Sequence, residues 1–361
     1  MENFVVSARK YRPKGFEEVV GQEHITTTLT NAISNNHLAQ AFLFCGPRGV
    51  GKTTCARILA KMINEFDETQ ENNLNIYELD AASNNSVDDI RNLVEQVRYP
   101  PQEGKYKVYI IDEVHMLSNA AFNAFLKTLE EPPPYAIFIL ATTEKHKIIP
   151  TILSRCQIFD FNRIQVSDIS NHLKKIAAQE SITAEDEALH LIAQKSDGGL
   201  RDALSIFDLV VTFSSDNSIT YQNTIKNLHI LDYDYYFKVT DSLLAEDRSA
   251  ILLTFNEILK EGFDGHNFIV GLAQHFRNLL ICKDKATVQL LEVSDNVKAR
   301  YEEQAQNASV SFLITALNIA SNCDTGYKNS KNQRLHVELS LVKMAHINQA
   351  MQLGAELKKK D

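Results

Sequence analysis

The sequence predicts an α/β domain built on a five-stranded parallel sheet, followed by a small helical domain and a third, all-helical domain. Three observations carry that expectation. Five short apolar runs are interleaved with helix-period segments up to about residue 165, the strand signal then fades, and from about Tyr233 onward only helical periodicity remains. Strands separated by helices return to their sheet in parallel, because a crossover helix reverses the chain between them.

The five runs are 41–45, 76–80, 107–112, 136–141 and 157–161, each short and rich in β-branched or aromatic residues. The helices between them include 53–63, 87–97 and 120–131. In the last, Phe122, Phe125, Leu126 and Leu129 fall at i, i+3, i+4 and i+7, Ser118 is placed to cap the start, and Pro132 to Pro134 form the stop. Three short helices follow, 166–179, 186–196 and 200–211, separated by the turn at 181–183 and the Asp197-Gly198-Gly199 break. A Ser/Asp/Asn-rich stretch at 214–218 precedes the last region, whose better helix candidates are 239–244, 248–260, 268–282, 310–320 and 335–351. The expected domains are 1–165, 166–228 and 229–361.

The 361 residues, 44% hydrophobic and 23% charged, suit a soluble chain able to bury real cores. Eight Pro and 13 Gly exclude a collagenous chain. No apolar run approaches the roughly 20 residues that cross a bilayer, and the first ten residues lack the apolar centre of a signal peptide, so no membrane role and a cytoplasmic location are expected. Cys45, Cys55, Cys156, Cys282 and Cys323 form neither a disulfide framework nor a CxxC pair, which fits a reducing compartment. The net charge of −9 excludes a generally basic nucleic-acid wrapper and leaves only a local patch to contact phosphates. The terminal Lys358 to Lys360 read as a solvated end.

The chemistry sits at strand ends. Gly46-Pro47-Arg48-Gly49-Val50-Gly51-Lys52-Thr53 fits G-x-x-x-x-G-K-S/T between an apolar strand and a helix that continues through Thr54. Its glycines let backbone N–H groups turn toward phosphates, Lys52 would reach the β- and γ-oxygens of ATP, and Thr53 would ligate Mg²⁺. The third strand ends in Asp112 and Glu113, a Walker B pattern in which Asp112 would hold Mg²⁺ and Glu113 would polarise the attacking water. His115 reads as packing or support. The fourth strand ends in Thr142-Thr143-Glu144, where Thr143 is the preferred phosphate sensor over Thr142, with plain strand-end capping as the competing reading. Arg155 and Arg201 in isolation would be ordinary surface ion-pair residues. Residues 83–86 precede a helix and offer either a DNA phosphate seat or an ordinary cap.

Taken in order, Arg9-Lys10-Tyr11-Arg12-Pro13, Val20-Gly21-Gln22, GPRGVGKTT at 46–54, Leu79-Asp80-Ala81-Ala82-Ser83, IIDEVHML at 110–117, LKTLEEPP at 126–133, LATTEKHK at 140–147, ILSRC at 152–156 and LRDALS at 200–205 resemble the gamma/tau subunits of bacterial DNA polymerase III. These are the AAA+ motors of the sliding-clamp loader. The resemblance is dense from about residue 7 to 212 and general in the helical remainder. It implies an AAA+ domain, a helical lid and a helical collar, and an ATPase working within a DNA-directed DNA polymerase holoenzyme. The motor opens a sliding clamp and loads it on primer-template DNA. Other clamp-loader subunits, in a hetero-pentamer, are the implied partners. By the same resemblance Arg155 is an arginine finger acting on a neighbour's ATP, Arg201 is a γ-phosphate sensor in cis, and Tyr11, Arg12, Pro13, Val20 and Gly21 frame adenine.

Rival expectations are another AAA+ DNA machine such as a branch-migration motor, or a non-hydrolysing structural clamp-loader subunit. The structural reading requires a broken phosphate loop, whereas Lys52, Thr53, Asp112 and Glu113 are all present. A small-molecule kinase needs neither Arg155 in trans nor a collar. Two departures from the family stand out. The cysteine-rich zinc module expected after the phosphate-loop helix is replaced by 64–75, which holds neither Cys nor His, and the chain ends near the collar without the longer tau-type extension. Purified protein should therefore contain no stoichiometric zinc by elemental analysis, and chelators should act only by withdrawing Mg²⁺.

Overall fold

A computed structural model describes residues 5–65, 75–101, 104–214, 217–228, 231–291, 293 and 295–351. Most of the segment 64–75 and the lysines at 358–360 lie outside these residues, as do positions 215 and 216 of the polar stretch. The described residues form two units, Met1–Ile219 and Thr220–Asp361.

In the first unit α1 (Ser7–Lys10) and α2 (Glu23–Ser34) precede β1 (Ala41–Cys45), then α3 (Lys52–Ile63), β2 (Ile76–Asp80), α4 (Val87–Val97), β3 (Lys107–Asp112) and α5 (Asn119–Glu130). β4 (Ala136–Thr142), α6 (Pro150–Leu153) and β5 (Gln157–Asp160) complete the sheet, in the order β2-β3-β4-β1-β5. Every pairing is parallel, as the alternation of strand and helix required. The period-2 pattern of β1 divides its side chains between two cores. Phe42 and Phe44 pack with Ile25, Leu29, Ile58 and Leu59 of α2 and α3, whereas Leu43 joins the opposite core with Ile90, Phe122 and Phe125 of α4 and α5. Burial on both faces explains why these strands read as continuous apolar runs. Tyr77, Tyr109 and Phe138 stack across the second face at centroid separations of 5.1 and 5.5 Å, and Phe125 meets Phe138 edge-to-face at 5.2 Å.

α7 (Val166–Gln179), α8 (Asp186–Lys195) and α9 (Leu200–Phe213) form the small helical layer of the same unit. A two-stranded parallel ribbon, β6 (Thr183–Ala184) with β7 (Ser218–Ile219), closes it. The sequence shows no strand period there, because two residues are too few to display one.

The second unit contains α10 (Tyr221–Asn227), α11 (Tyr233–Leu244), α12 (Arg248–Lys260), α13 (Gly265–Ile281), α14 (Asp295–Asn307), α15 (Val310–Tyr327) and α16 (Gln333–Ala345). Its apolar core encloses one polar network. Gln304 donates through Nε2 to the Phe237 carbonyl at 2.9 Å and the Asp241 carboxylate at 2.6 Å, so its Oε1 accepts, at 2.8 Å from His275 Nε2. His275 is thereby the Nε2–H tautomer, with Nδ1 accepting from the Tyr301 hydroxyl at 3.1 Å.

Burial, aided by the nearby Arg300 charge and opposed by the Gln304 contact, lowers the His275 pKa to about 4. The unfolded imidazole titrates near 6.5. The fold therefore favours the neutral ring: this contribution is complete above pH ~6.5, declines as pH falls toward 4, and amounts to roughly 3 kcal/mol over the window. Urea unfolding of the full chain should lose about 2 kcal/mol between pH 7 and pH 5 through this group. NMR of the imidazole should show His275 still neutral at pH 5, and a midpoint near 6.5 would contradict the network.

Candidate nucleotide-binding site

The site grows from the position of β1. This strand lies between β4 and β5, so the chain leaves its carboxyl end where the strand order reverses, the place at which an open α/β sheet leaves a crevice. Gly46 leaves β1 with φ 148°, and a Cβ there would lie 2.4 Å from the Phe161 carbonyl oxygen. Gly51 at φ 104° is the residue before α3, a left-handed conformation that lets the loop turn directly into the helix. The amides at the start of α3 consequently face the crevice.

Lys52 is buried at 6% exposure, and its Nζ donates to the carbonyls of Gly46 at 2.8 Å and Pro47 at 2.7 Å. Burial lowers its pKa, while the charges of Glu113 and Asp112 pull the other way. The Thr53 hydroxyl donates to Asp112 Oδ2 at 2.6 Å, and Asp112 Oδ1 accepts the Glu113 N–H at 2.9 Å. Two oxygen donors from different elements thus converge beside the loop, a donor chemistry that suits a hard divalent cation.

Glu113 has φ 48°, left-handed for a residue with a side chain. Strain of this kind persists where surrounding structure imposes it. Here the Glu113 carboxylate accepts from the Thr143 hydroxyl at 3.0 Å and the Thr143 N–H at 3.4 Å. Thr142 turns away: its fully buried hydroxyl accepts the Glu144 N–H at 3.0 Å and meets His115 Nδ1 at 3.0 Å. His115 Nδ1 also lies 3.4 Å from the Glu113 carboxylate, so the imidazole sits between the ends of β3 and β4.

One pocket collects most of the sequence-derived candidates. Arg48, Gly49, Val50, Gly51, Lys52, Thr53 and Thr54 line it with Asp112, Glu113 and Arg201, and Tyr11, Arg12, Pro13 and Val20 form another part of its wall. Gly46 and Pro47 stand behind the loop as the acceptors of Lys52, and Thr143 enters through its bond to Glu113. Gly21 faces an adjoining groove instead. Arg155 is held elsewhere in the unit: its guanidinium donates to Glu130 Oε1 at 2.6 Å, to the Thr151 carbonyl at 2.7 Å and to the Ser154 hydroxyl at 3.2 Å.

Sequence reasoning missed the apolar residues of the wall, Ala8, Val19, Ile164, Leu200 and Leu204. Leu204 was accessible, since it follows Arg201 by three residues on one helix face. Ile164 follows β5 in a segment without a motif. The helical layer reaches the phosphate loop directly, for the Arg201 N–H donates to the Gly49 carbonyl at 3.3 Å. At the start of α4, Ser86 and Asp89 form a reciprocal capping box, so an ordinary cap occupies the terminus considered for a DNA phosphate. Among the described residues no group of three or more His, Cys, Asp or Glu is placed to hold a metal ion, and no helix is long and apolar enough to cross a membrane.

Known proteins divide the chain in the same order. Residues 21–165 match the family DNA polymerase III, delta subunit, residues 168–216 match the ATPase lid domain of the DNA polymerase III clamp loader subunit, and residues 223–359 match domain III of subunits gamma and tau. The tau subunit of Bacillus subtilis is 40% identical over 351 residues, covering 93% of this chain and 62% of that protein. The gamma subunit of Buchnera aphidicola is 34% identical over 363 residues, covering 96% of this chain and 98% of that one. The tau subunit of Escherichia coli is 40% identical over 285 residues, 75% of this chain and 44% of the relative. This chain accordingly spans about three-fifths of the Bacillus protein and nearly all of the Buchnera one. The Thermotoga maritima RuvB Holliday junction branch migration motor shares the fold, with a TM-score of 0.50 at 23% identity over 65% of this chain and 79% of that structure. With its parallel sheet, helical lid and helical C-terminal unit, the chain belongs to the DNA polymerase III gamma/tau family of AAA+ clamp-loader subunits.

Proposed function

We propose that this chain is an ATP-hydrolysing motor of a DNA polymerase III clamp loader, using ATP to open a sliding clamp and load it on primer-template DNA during replication. The observation that carries the reading is the convergence on one pocket of the phosphate loop, the Thr53 and Asp112 pair, Glu113 and Arg201. An intact set of this kind supports a motor over a structural subunit. The division into 1–165, 166–228 and 229–361, as nucleotide domain, lid and collar, belongs to the same proposal, with partners in a hetero-pentamer and a cytoplasmic location.

The roles follow from what each group does now. Lys52 holds two loop carbonyls, and an incoming triphosphate replaces these neutral acceptors by charged oxygens, which bind an ammonium more strongly. Thr53 and Asp112 would hold Mg²⁺, which when bound neutralises phosphate charge. Glu113 accepts a proton from, or orients, the attacking water, with Thr143 aiming its carboxylate. Arg201 joins the γ-phosphate region to the lid through a helix already bonded to Gly49. ATP acts first as a conformational ligand, preferring the lid arrangement in which these groups meet. Arg155 lies outside its own chain's pocket, which supports action on a neighbouring subunit's ATP, Glu130 being the acceptor it exchanges for phosphate.

Glu113→Gln preserves size but removes the basic carboxylate, so ATP affinity should stay near wild type while turnover falls about 10²- to 10⁴-fold. Unchanged hydrolysis, measured by phosphate release with and without clamp and primed DNA, would sink the assignment. For Arg155 the decisive measurement is mixing. Lys52→Ala has a dead site and an intact finger, and Arg155→Ala has the reverse; co-assembled, they should recover clamp- and DNA-stimulated hydrolysis beyond either alone. No recovery at any ratio, with assembly verified by sizing, returns Arg155 to a structural ion pair.

A further inference from the structure

We infer that Glu180 is a positioning residue for the nucleotide base, because it fastens the base-facing N-terminal segment to the lid. The inference deepens the proposed nucleotide site and rests on that reading. The pocket has two chemically distinct ends. Lys52, Thr53, Asp112 and Arg201 supply charged and polar groups, whereas Tyr11, Pro13, Val20, Ile164 and Leu204, with Arg12 beside them, supply an apolar wall suited to a purine ring.

Tyr11 reaches that apolar end from a short segment whose own fastening is unusual. Both the Tyr11 hydroxyl and the Lys10 ammonium donate to Glu180 Oε1. One turn earlier, the Ser7 N–H donates to Asp208 Oδ2 at 2.7 Å and the Ser7 hydroxyl donates to Asp208 Oδ1. Glu180 closes α7 and Asp208 lies within α9, so both anchors belong to the lid. Among the described residues, the first side-chain hydrogen bonds from this segment toward the sheet side are those of Gln22, which exchanges bonds with the Asn162 backbone at 2.7 and 3.3 Å. Phe16 and Val19 pack into the core beside the sheet, whereas the Tyr11 end of the segment is hydrogen-bonded to the lid, although it precedes the sheet in sequence.

The placement of Glu180 is itself informative. A carboxylate at a helix C-terminus faces the negative end of the helix dipole, a local disadvantage of about 0.3–1 kcal/mol. Lys10 supplies the compensating cation, and Tyr11 uses the remaining acceptor capacity of the same oxygen. A residue disfavoured by its own helix but satisfied by another segment marks a site where tertiary demand overrides local preference. Rotation of the lid thus moves Arg201 and the base wall together, so the two ends of ATP report one lid position.

The test is binding of ATP and of inorganic tripolyphosphate, each with Mg²⁺, to the full chain and its variants. Glu180→Ala should weaken ATP about three- to tenfold, the range expected for one lost hydrogen-bond anchor, and leave tripolyphosphate binding unchanged. Glu180→Gln, which still accepts from Tyr11, should restore most of the ATP affinity. Tyr11→Phe should be non-additive with Glu180→Ala, because both remove the same contact. Equal weakening of both ligands, or of neither, overturns the inference, since a general loss of stability would not distinguish them. Wild-type protein that binds tripolyphosphate but shows no added affinity for ATP also overturns it, while failure to bind either ligand overturns the nucleotide reading itself.

Discussion

The hydrogen bond between Thr53 and Asp112 is the contact around which the rest of the first unit is arranged. It joins the first turn of α3 to the end of β3 at 2.6 Å. β1 is inserted between β4 and β5, one strand from β3, and α3 packs back over β4 and β3, which brings the first turn of α3 to the end of β3. The two cores on either side of the sheet, with Phe42 and Phe44 facing one and Leu43 the other, hold this insertion in register.

Near that contact, and at Arg155 elsewhere in the unit, charged groups are paired with local partners. Lys52 rests on the carbonyls of its own loop, Arg155 on Glu130, and the Glu113 carboxylate on Thr143. Each arrangement keeps a charged group paired and local, which limits the penalty for holding it without nucleotide. The proposed ATP hydrolysis would depend on positioning and electrostatics rather than on covalent chemistry. The left-handed backbone of Glu113 is the point where the fold accepts local strain for that positioning.

The lid is more than a cover. Its helix α9 begins with a backbone bond to the phosphate loop, and its anchors Glu180 and Asp208 take hold of the segment before the sheet. On the proposed reading, a nucleotide spanning the pocket would meet groups attached to two layers and so bias their relative position. This is the physical requirement for a ligand to drive a conformational change, since only differential affinity between arrangements does work. The second unit is held by a different device, an apolar core with a closed His275, Gln304 and Tyr301 network that allows one tautomer.

Much of this was legible in the residues. The five strands, the phosphate loop, the Asp112-Glu113 pair and most helices after residue 165 carry a local signal: an apolar run, a glycine spacing, or a 3.6-residue period; α10 and α14 went unread. The sequence by itself determined the strand and helix alternation and the chemistry available at the strand ends, because those depend on neighbours along the chain. Tertiary structure decided that Thr143 and not Thr142 meets Glu113, that Gly21 lines the adjoining groove, that Ile164 and Leu204 line the pocket, and that Tyr11 is fastened through Glu180. Residues 11 and 180 lie 169 positions apart, and no periodicity encodes which acceptor a tyrosine hydroxyl finds across that distance. Only the packing of the lid brings them together.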